Sequence, residues 1–315
     1  MAPPEPNPKP RTGTRDPAAH AAAAGADLRD PDALRAAWDH LRRTHGHLHA
    51  PDAARMLAVP EAALVASRIG AGALRLRPDI GAILAPISGW GRVLCAFATP
   101  CGVHMPLGAV SAPAHGDGVL RLRGAHLEAA IDADAVTDAY LFVDRDDSHG
   151  NTRSVQFYDA AGAPVLKVFI FHKTRFAAAE RHLAAHRSDD RSRTVRVAAP
   201  APGRFDARAA SLAEDPAAAP LAAGVRAHLT DLLGAMPAGG AHFVVEAVAD
   251  HARATWRGTL SGARLDDRMF HLHETDLRSH LRYAPLVGAA RTESGALALD
   301  GVEGRLLRLA REDGR

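Results

Sequence analysis

From Gly91 onward the chain is written in short apolar runs separated by glycine, proline and aspartate, and the order of those runs comes round twice. Gly91-Arg-Val-Leu-Cys-Ala-Phe with Gly102-Val-His-Met-Pro-Leu-Gly108 parallels Ala241-His-Phe-Val-Val-Glu-Ala with Ala252-Arg-Ala-Thr-Trp-Arg-Gly258, so that Gly108 and Gly258 lie 150 positions apart. Ile131-Asp-Ala-Asp134 aligns with His273-Glu-Thr-Asp276, and the turn at Gly162 with one around Gly304, each pair 142 apart. A recurring element order at this spacing predicts two copies of one α+β module of short strands with flanking helices. The second copy lacks most of the helical prelude and the closing helix of the first. The expected layout is a disordered tail over 1–30, a first module over 31–187, a linker over 188–206 containing Ala199-Pro-Ala-Pro-Gly203, and a shortened second module over 207–315.

Local signals fill in the first copy. Asp30-Pro31 supplies an N-cap and a first-turn proline, and Leu34, Ala37, Trp38 and Leu41 make one helical stripe. Two short helices follow over Asp52 to Leu57 and Pro60 to Arg68, stopped by Gly70. They mimic a helix-turn-helix, but a packing role suits the charge balance better. Strands are expected at Gly91 to Ala98, Gly102 to Leu107, Val119 to Leu122, Leu127 to Ile131 and Tyr140 to Val143. The clearest hairpin joins Ser154 to Asp159 with Pro164 to Ile170. A helix over Thr174 to His186 closes this half, and a longer one is expected near Leu221 to Met236.

Composition narrows the function classes. Thirty-eight Lys plus Arg against 36 Asp plus Glu leave a net charge of +2, too little for a dedicated nucleic-acid binder. Only Lys9, Lys167 and Lys173 are lysines, so arginine abundance is compositional background. No apolar run reaches the ~18–20 residues of a membrane helix. Cys95 and Cys101 cannot make a disulfide framework, and the N-terminus lacks a secretory signal pattern, so a cytoplasmic setting is expected. Phosphate-binding glycine loops, the His-Glu-x-x-His zinc motif and the Gly-x-Ser-x-Gly elbow are absent.

Ala53 to Gly70, Gly91-Arg-Val-Leu, Gly102-Val-His104, Arg153-Ser-Val-Gln-Phe-Tyr-Asp159 and Lys167-Val-Phe together resemble the bacterial haemin-degrading and haem-trafficking family. The resemblance spans residues 34 to 175 well and 240 to 310 weakly. It implies a tandem α+β fold with curved antiparallel sheets and haem as the ligand. It further implies a haem importer and a haem oxygenase as partners, with either transfer or degradation of haem as the task. Two departures stand out. The family's Thr-Asp-Thr-His-like helix, which carries the axial histidine, has no counterpart between Arg187 and Leu221, and Ala98-Thr-Pro-Cys101 stands where an Arg-Asn pair is usual. A paralogue that has lost haem and serves as an interaction protein is therefore a second reading. A His-rich transition-metal binder, suggested by 18 histidines, is a third.

Under the haem reading, an axial imidazole and propionate-binding cations are required. His45, His47 and His49 form a cluster after the Trp38 helix, with His45 the candidate iron ligand; a solvated loop is the alternative. His104, in an apolar strand, suits a core or pocket-lining place. Arg153, Gln156 and Lys167 lie in the strongest family match, as propionate or distal partners or as ordinary cross-strand pairs. Arg257, with Arg268, Arg278 and Arg282, offers cations in the second module. His271 and His273, two apart in a strand, share one face and are a chelating pair without an evident third ligand. His182 and His186 share a helix face.

Overall fold

The computed structural model describes residues 27–45, 48–99, 102–146, 150–171, 173–201, 203–205, 219–220, 227, 229–231, 240–266, 269–282, 286–291, 297–301 and 304–311. The expected N-terminal tail lies almost wholly outside these residues, as do His47, Cys101, Arg268 and most of the helix expected near Leu221 to Met236.

Helices α1 (Pro31–His45), α2 (Ala50–Leu57) and α3 (Glu61–Ser67) open the chain. Asp30 caps α1 through its carboxylate, which accepts from the Ala33 amide at 3.0 Å. Short strand β1 (Ala73–Leu76) and helix α4 (Ile80–Leu84) follow, neither of them evident from sequence pattern. Then come β2 (Arg92–Thr99), β3 (Gly102–Ala109), β4 (Ala114–Gly116), β5 (Val119–Arg123), β6 (Leu127–Asp132), β7 (Asp138–Asp146), β8 (Gly150–Tyr158), β9 (Pro164–Ile170) and the closing helix α5 (Lys173–Ala185). The second half supplies β10 (Ala219–Pro220), β11 (Ala241–Ala249), β12 (Ala252–Leu260), β13 (Ala263–Leu265), β14 (Met269–His273), β15 (Leu277–Arg282), β16 (Leu286–Arg291), β17 (Leu297–Gly301) and β18 (Gly304–Arg311).

Two antiparallel nine-stranded sheets result. Sheet one runs β1-β7-β8-β9-β2-β3-β15-β14-β13, and sheet two runs β10-β16-β17-β18-β11-β12-β6-β5-β4. Advancing every strand by nine places in chain order converts one sheet into the other. Each copy thus lends a three-stranded unit, β4–β6 or β13–β15, to the sheet of its neighbour, and the repeat becomes a two-fold exchange of strands. Apolar residues of both sheets meet in shared clusters. Val93, Phe97 and Val168 of sheet one pack with Leu120, Leu122 and Ile131 of sheet two, while Phe243 and Trp256 pack with Phe270 and Leu281. Helices α1–α3 cover the outer face of sheet one over Tyr140, Phe142 and Tyr158. Trp38 stacks on Phe142 at 6.0 Å and carries the Arg68 guanidinium 4.6 Å above its ring.

The exchange corrects one alignment. The offset stays at 150 through the lent units, since Leu127 opens β6 and Leu277 opens β15. Ile131 therefore matches Leu281 rather than His273, and the shared acidic residues in the two loops are coincidental. The shortening falls later: nine-residue β7 and β8 become six-residue β16 and five-residue β17. That brings the Gly162 and Gly304 turns to the spacing of 142. The expected linker is laid along the first copy, where Arg193 clasps Asp32 at 2.8 and 3.1 Å and Arg204 reaches Asp132 at 3.2 Å. Among the described residues, no helix is long and apolar enough to cross a membrane.

Candidate functional site

Strand alternation builds a groove on the outer face of sheet two. In β12, Ala252, Ala254, Trp256 and Leu260 turn inward, which sends Arg253, Thr255 and Arg257 outward. In β5, Leu120 and Leu122 are buried while Arg121 and Arg123 are exposed. Register aligns these side chains in rows: Arg123 opposite Glu128, Glu128 opposite Thr255, and Thr255 opposite Glu246, with Arg121, Ala130 and Arg253 in the next row. The groove holds about 410 Å³. Arg253 is tied to Glu246, and Arg257 reaches Glu128 at 3.2 Å. Four guanidinium groups against two carboxylates leave the lining at +2. The predicted Arg257 is thus part of a larger cationic set. Arg121, Arg123 and Arg253 were hidden by the arginine background, and the offset of 150 from β14 was the one signal that could have singled out β5.

The two-fold counterpart on sheet one carries imidazoles instead. His271 and His273 occupy the places equivalent to Arg121 and Arg123, and both project from one face of β14, as expected. The third group that the sequence reading lacked is His280 on β15, directly opposite His271 in the register. The His271 and His280 Nδ1 atoms are 2.7 Å apart, and His271 Nε2 lies 3.0 Å from the Asp266 carboxylate. One ligand atom from each of His271, His273 and His280 falls within 4.8 Å of the others. Burial, followed by the neighbouring imidazoles, Arg278 and Arg264, pushes His280 down to about 4, and burial with the His271 ring and the same arginines lowers His273 as well.

Gln156 and Lys167 lie inside the protein, beneath α3. They are register partners on β8 and β9, and Lys167 Nζ donates to Glu61, a first-turn residue of α3. Tyr158 Oη is within reach of Glu61 at 3.2 Å and of Gln156 Oε1, while Gln156 Nε2 donates to Ser154 Oγ at 2.8 Å. Lys167 and Glu61 are 7 % and 6 % exposed. These groups are used on one another, so the cross-strand alternative is the one the geometry carries, with Glu61 as the unforeseen partner.

The remaining predicted residues are dispersed. His45 ends α1 and His49 precedes α2, both exposed, and no chelating group forms around them among the described residues. Arg153 lies over the Phe176 ring at 5.0 Å. His104 is buried against Ser279 Oγ, 2.7 Å from its Nδ1, and burial pushes it down to about 3. His182 Nε2 lies 3.0 Å from the Ala82 carbonyl, which ties α5 to α4, and its ring stands 4.7 Å from that of His186. Cys95 is buried, with its thiol pushed up to about 12.

Among the described residues, two strand-exchanged copies of an antiparallel module, helix-covered on one sheet and carrying a cationic groove on the other, define a tandem α+β protein. Residues 58–186 match the model of the haemin-degrading HemS/ChuX domain family. Through this first module the chain is similar to the haem-utilisation family. Its fold is shared with holo-PhuS, a haem-binding protein from Pseudomonas aeruginosa, at 20 % identity over 91 % of this chain and 94 % of that one, TM-score 0.74. It is also shared with ChuS, a haem-degrading enzyme of Escherichia coli O157:H7, at 17 % identity over 90 % and 93 %, TM-score 0.74. At such identities the likeness establishes the fold. No curated protein matches the chain in sequence.

Proposed function

We propose that this protein binds haem on the outer face of sheet two and serves haem uptake and utilisation in the cytoplasm. In this reading it accepts imported haem and passes it on or assists its degradation. The observation that carries the reading is the charge of the groove, whose +2 lining complements the two propionates of haem, in a chain whose residues 58–186 match the haemin-degrading domain family. Arg121 and Arg123, which have no partner among the described residues, are the propionate donors, while Arg253 and Arg257, held by Glu246 and Glu128, form the floor. The described lining suits carboxylates but includes no imidazole, so iron coordination is not assigned to it. Anchoring through the propionates favours hand-over, with an importer as donor and an oxygenase as acceptor. Residues 31–187 and 207–315 are the two modules in this reading, with 188–206 as the link.

Titrating haemin into the full chain tests the proposal. A Soret band that saturates at one equivalent is expected, with affinity at least about tenfold weaker in Arg121→Ser/Arg123→Ser, given ~1.5–3 kcal/mol for a charged hydrogen bond. Absence of saturation in the unaltered protein overturns haem binding. A carrier keeps its Soret band when ascorbate is added, whereas bleaching with release of iron indicates degradation.

A further inference from the structure

The groove on sheet two leaves the opposite sheet unexplained. There, adjacent antiparallel strands converge three imidazoles on one point, with ring centroids 5.0 Å apart for His271 and His280, 5.0 Å for His273 and His280, and 5.9 Å for His271 and His273. The tautomers follow from the partners. Asp266 accepts the Nε2 proton of His271, leaving His271 Nδ1 with its lone pair turned toward the Nδ1–H of His280. A carboxylate behind a histidine, with the ligating nitrogen on the far side of the ring, is the arrangement by which outer groups orient metal ligands.

We infer that His271, His273 and His280 form a site for a single divalent first-row cation of the zinc class, with Asp266 as the group that orients His271. Three convergent imidazoles suit such a cation, which binds nitrogen at ~2.0–2.1 Å and keeps a fourth position for water or a further ligand. They do not suit haem iron, whose porphyrin leaves only two axial positions on opposite sides of the ring. Two nitrogens on one tetrahedral cation stand about 3.3 Å apart, so metal entry must spread the 2.7 Å contact between His271 and His280 by about half an ångström. Binding through Nδ1 leaves the His280 proton on Nε2. Arg264, 3.6 Å from Asp266, and Arg278, opposite His273 in the register, act against a cation, and Asp266 acts for it.

The test is titration of Co²⁺ alone into the full chain, produced without a polyhistidine tag, followed by competition with Zn²⁺. One equivalent of Co²⁺ should bind with the intense visible absorption of tetrahedral coordination, and Zn²⁺ should displace it. His280→Ala, and His273→Ala at an exposed position that folding does not require, should each abolish that absorption. Asp266→Asn should weaken binding 10–100-fold, and His45→Ala/His49→Ala should leave it unchanged. The site is refuted if the unaltered chain takes up no single saturable equivalent, or if His273→Ala and His280→Ala both bind as it does. Haemin titration of the unaltered chain, beside the Co²⁺ titration, separates the two readings: cation binding without haem binding removes the proposed function alone, and the reverse removes this site alone.

Discussion

The interior pair of Glu61 and Lys167 allows the sharpest quantitative prediction. Both side chains are less than a tenth exposed, and the only opposite charge that the described contacts bring to either is the other. Replacing Lys167 by Met leaves Glu61 with the Tyr158 hydroxyl alone, and replacing Glu61 by Leu leaves an ammonium group under α3 with no carboxylate. Either change should cost about 3–5 kcal/mol, the usual penalty for an uncompensated buried charge. The double replacement removes both charges at similar volume, and Tyr158 keeps Gln156 as its acceptor. It should be near neutral, or stabilising by up to a few kcal/mol. Urea unfolding followed by tryptophan fluorescence suits the measurement, since Trp38 is buried in the helical cluster on the same sheet face. Additive single effects, with a double variant about 6–10 kcal/mol less stable, would refute the reasoning.

Acid stability follows from His104. Burial holds its folded pKa at about 3, while an unfolded imidazole titrates at about 6.5. Between those values the unfolded chain binds more protons, so stability is fully present above about pH 6.5 and falls by ~1.4 kcal/mol per pH unit as pH drops toward the folded value. His104→Gln should flatten the dependence of unfolding free energy on pH between about pH 4 and pH 6 by roughly one proton, and an unchanged slope would contradict the assignment. Gly102→Ala tests the strand exchange. A Cβ there would stand 2.0 Å from the His280 carbonyl, so β3 and β15 must part, with a cost above about 2 kcal/mol and loss of amide protection along β15. Full protection in that variant would mean that the lent unit is held by something other than this ladder.

Local features were legible because neighbours in sequence decide them. The Asp30 cap, the Trp38 stripe and the hairpin turning at Gly162 all lie where pattern places them. The exchange of β4–β6 and β13–β15 was not legible. The edge of β3 can accept β6 or β15 with the same alternation, and only the three-dimensional path selects β15. Glu61 reads in sequence as a solvated first-turn acid after Pro60; it is buried because α3 lies flat on the sheet above Lys167. His271 and His273 were legible through their two-residue spacing, whereas His280 required the register of the β14–β15 hairpin. The arginines of the groove were concealed by their own abundance, and separate from it only when alternation shows which of them share a face.

The central claim is that the groove on sheet two recognises the carboxylates of haem. The most direct measurement compares haemin with its dimethyl ester, which keeps the iron and the porphyrin face but has no propionate charge. The account predicts at least about tenfold weaker binding of the ester to the unaltered chain, with little difference between the two ligands in Arg121→Ser/Arg123→Ser. Equal affinity of the unaltered chain for both ligands would contradict it.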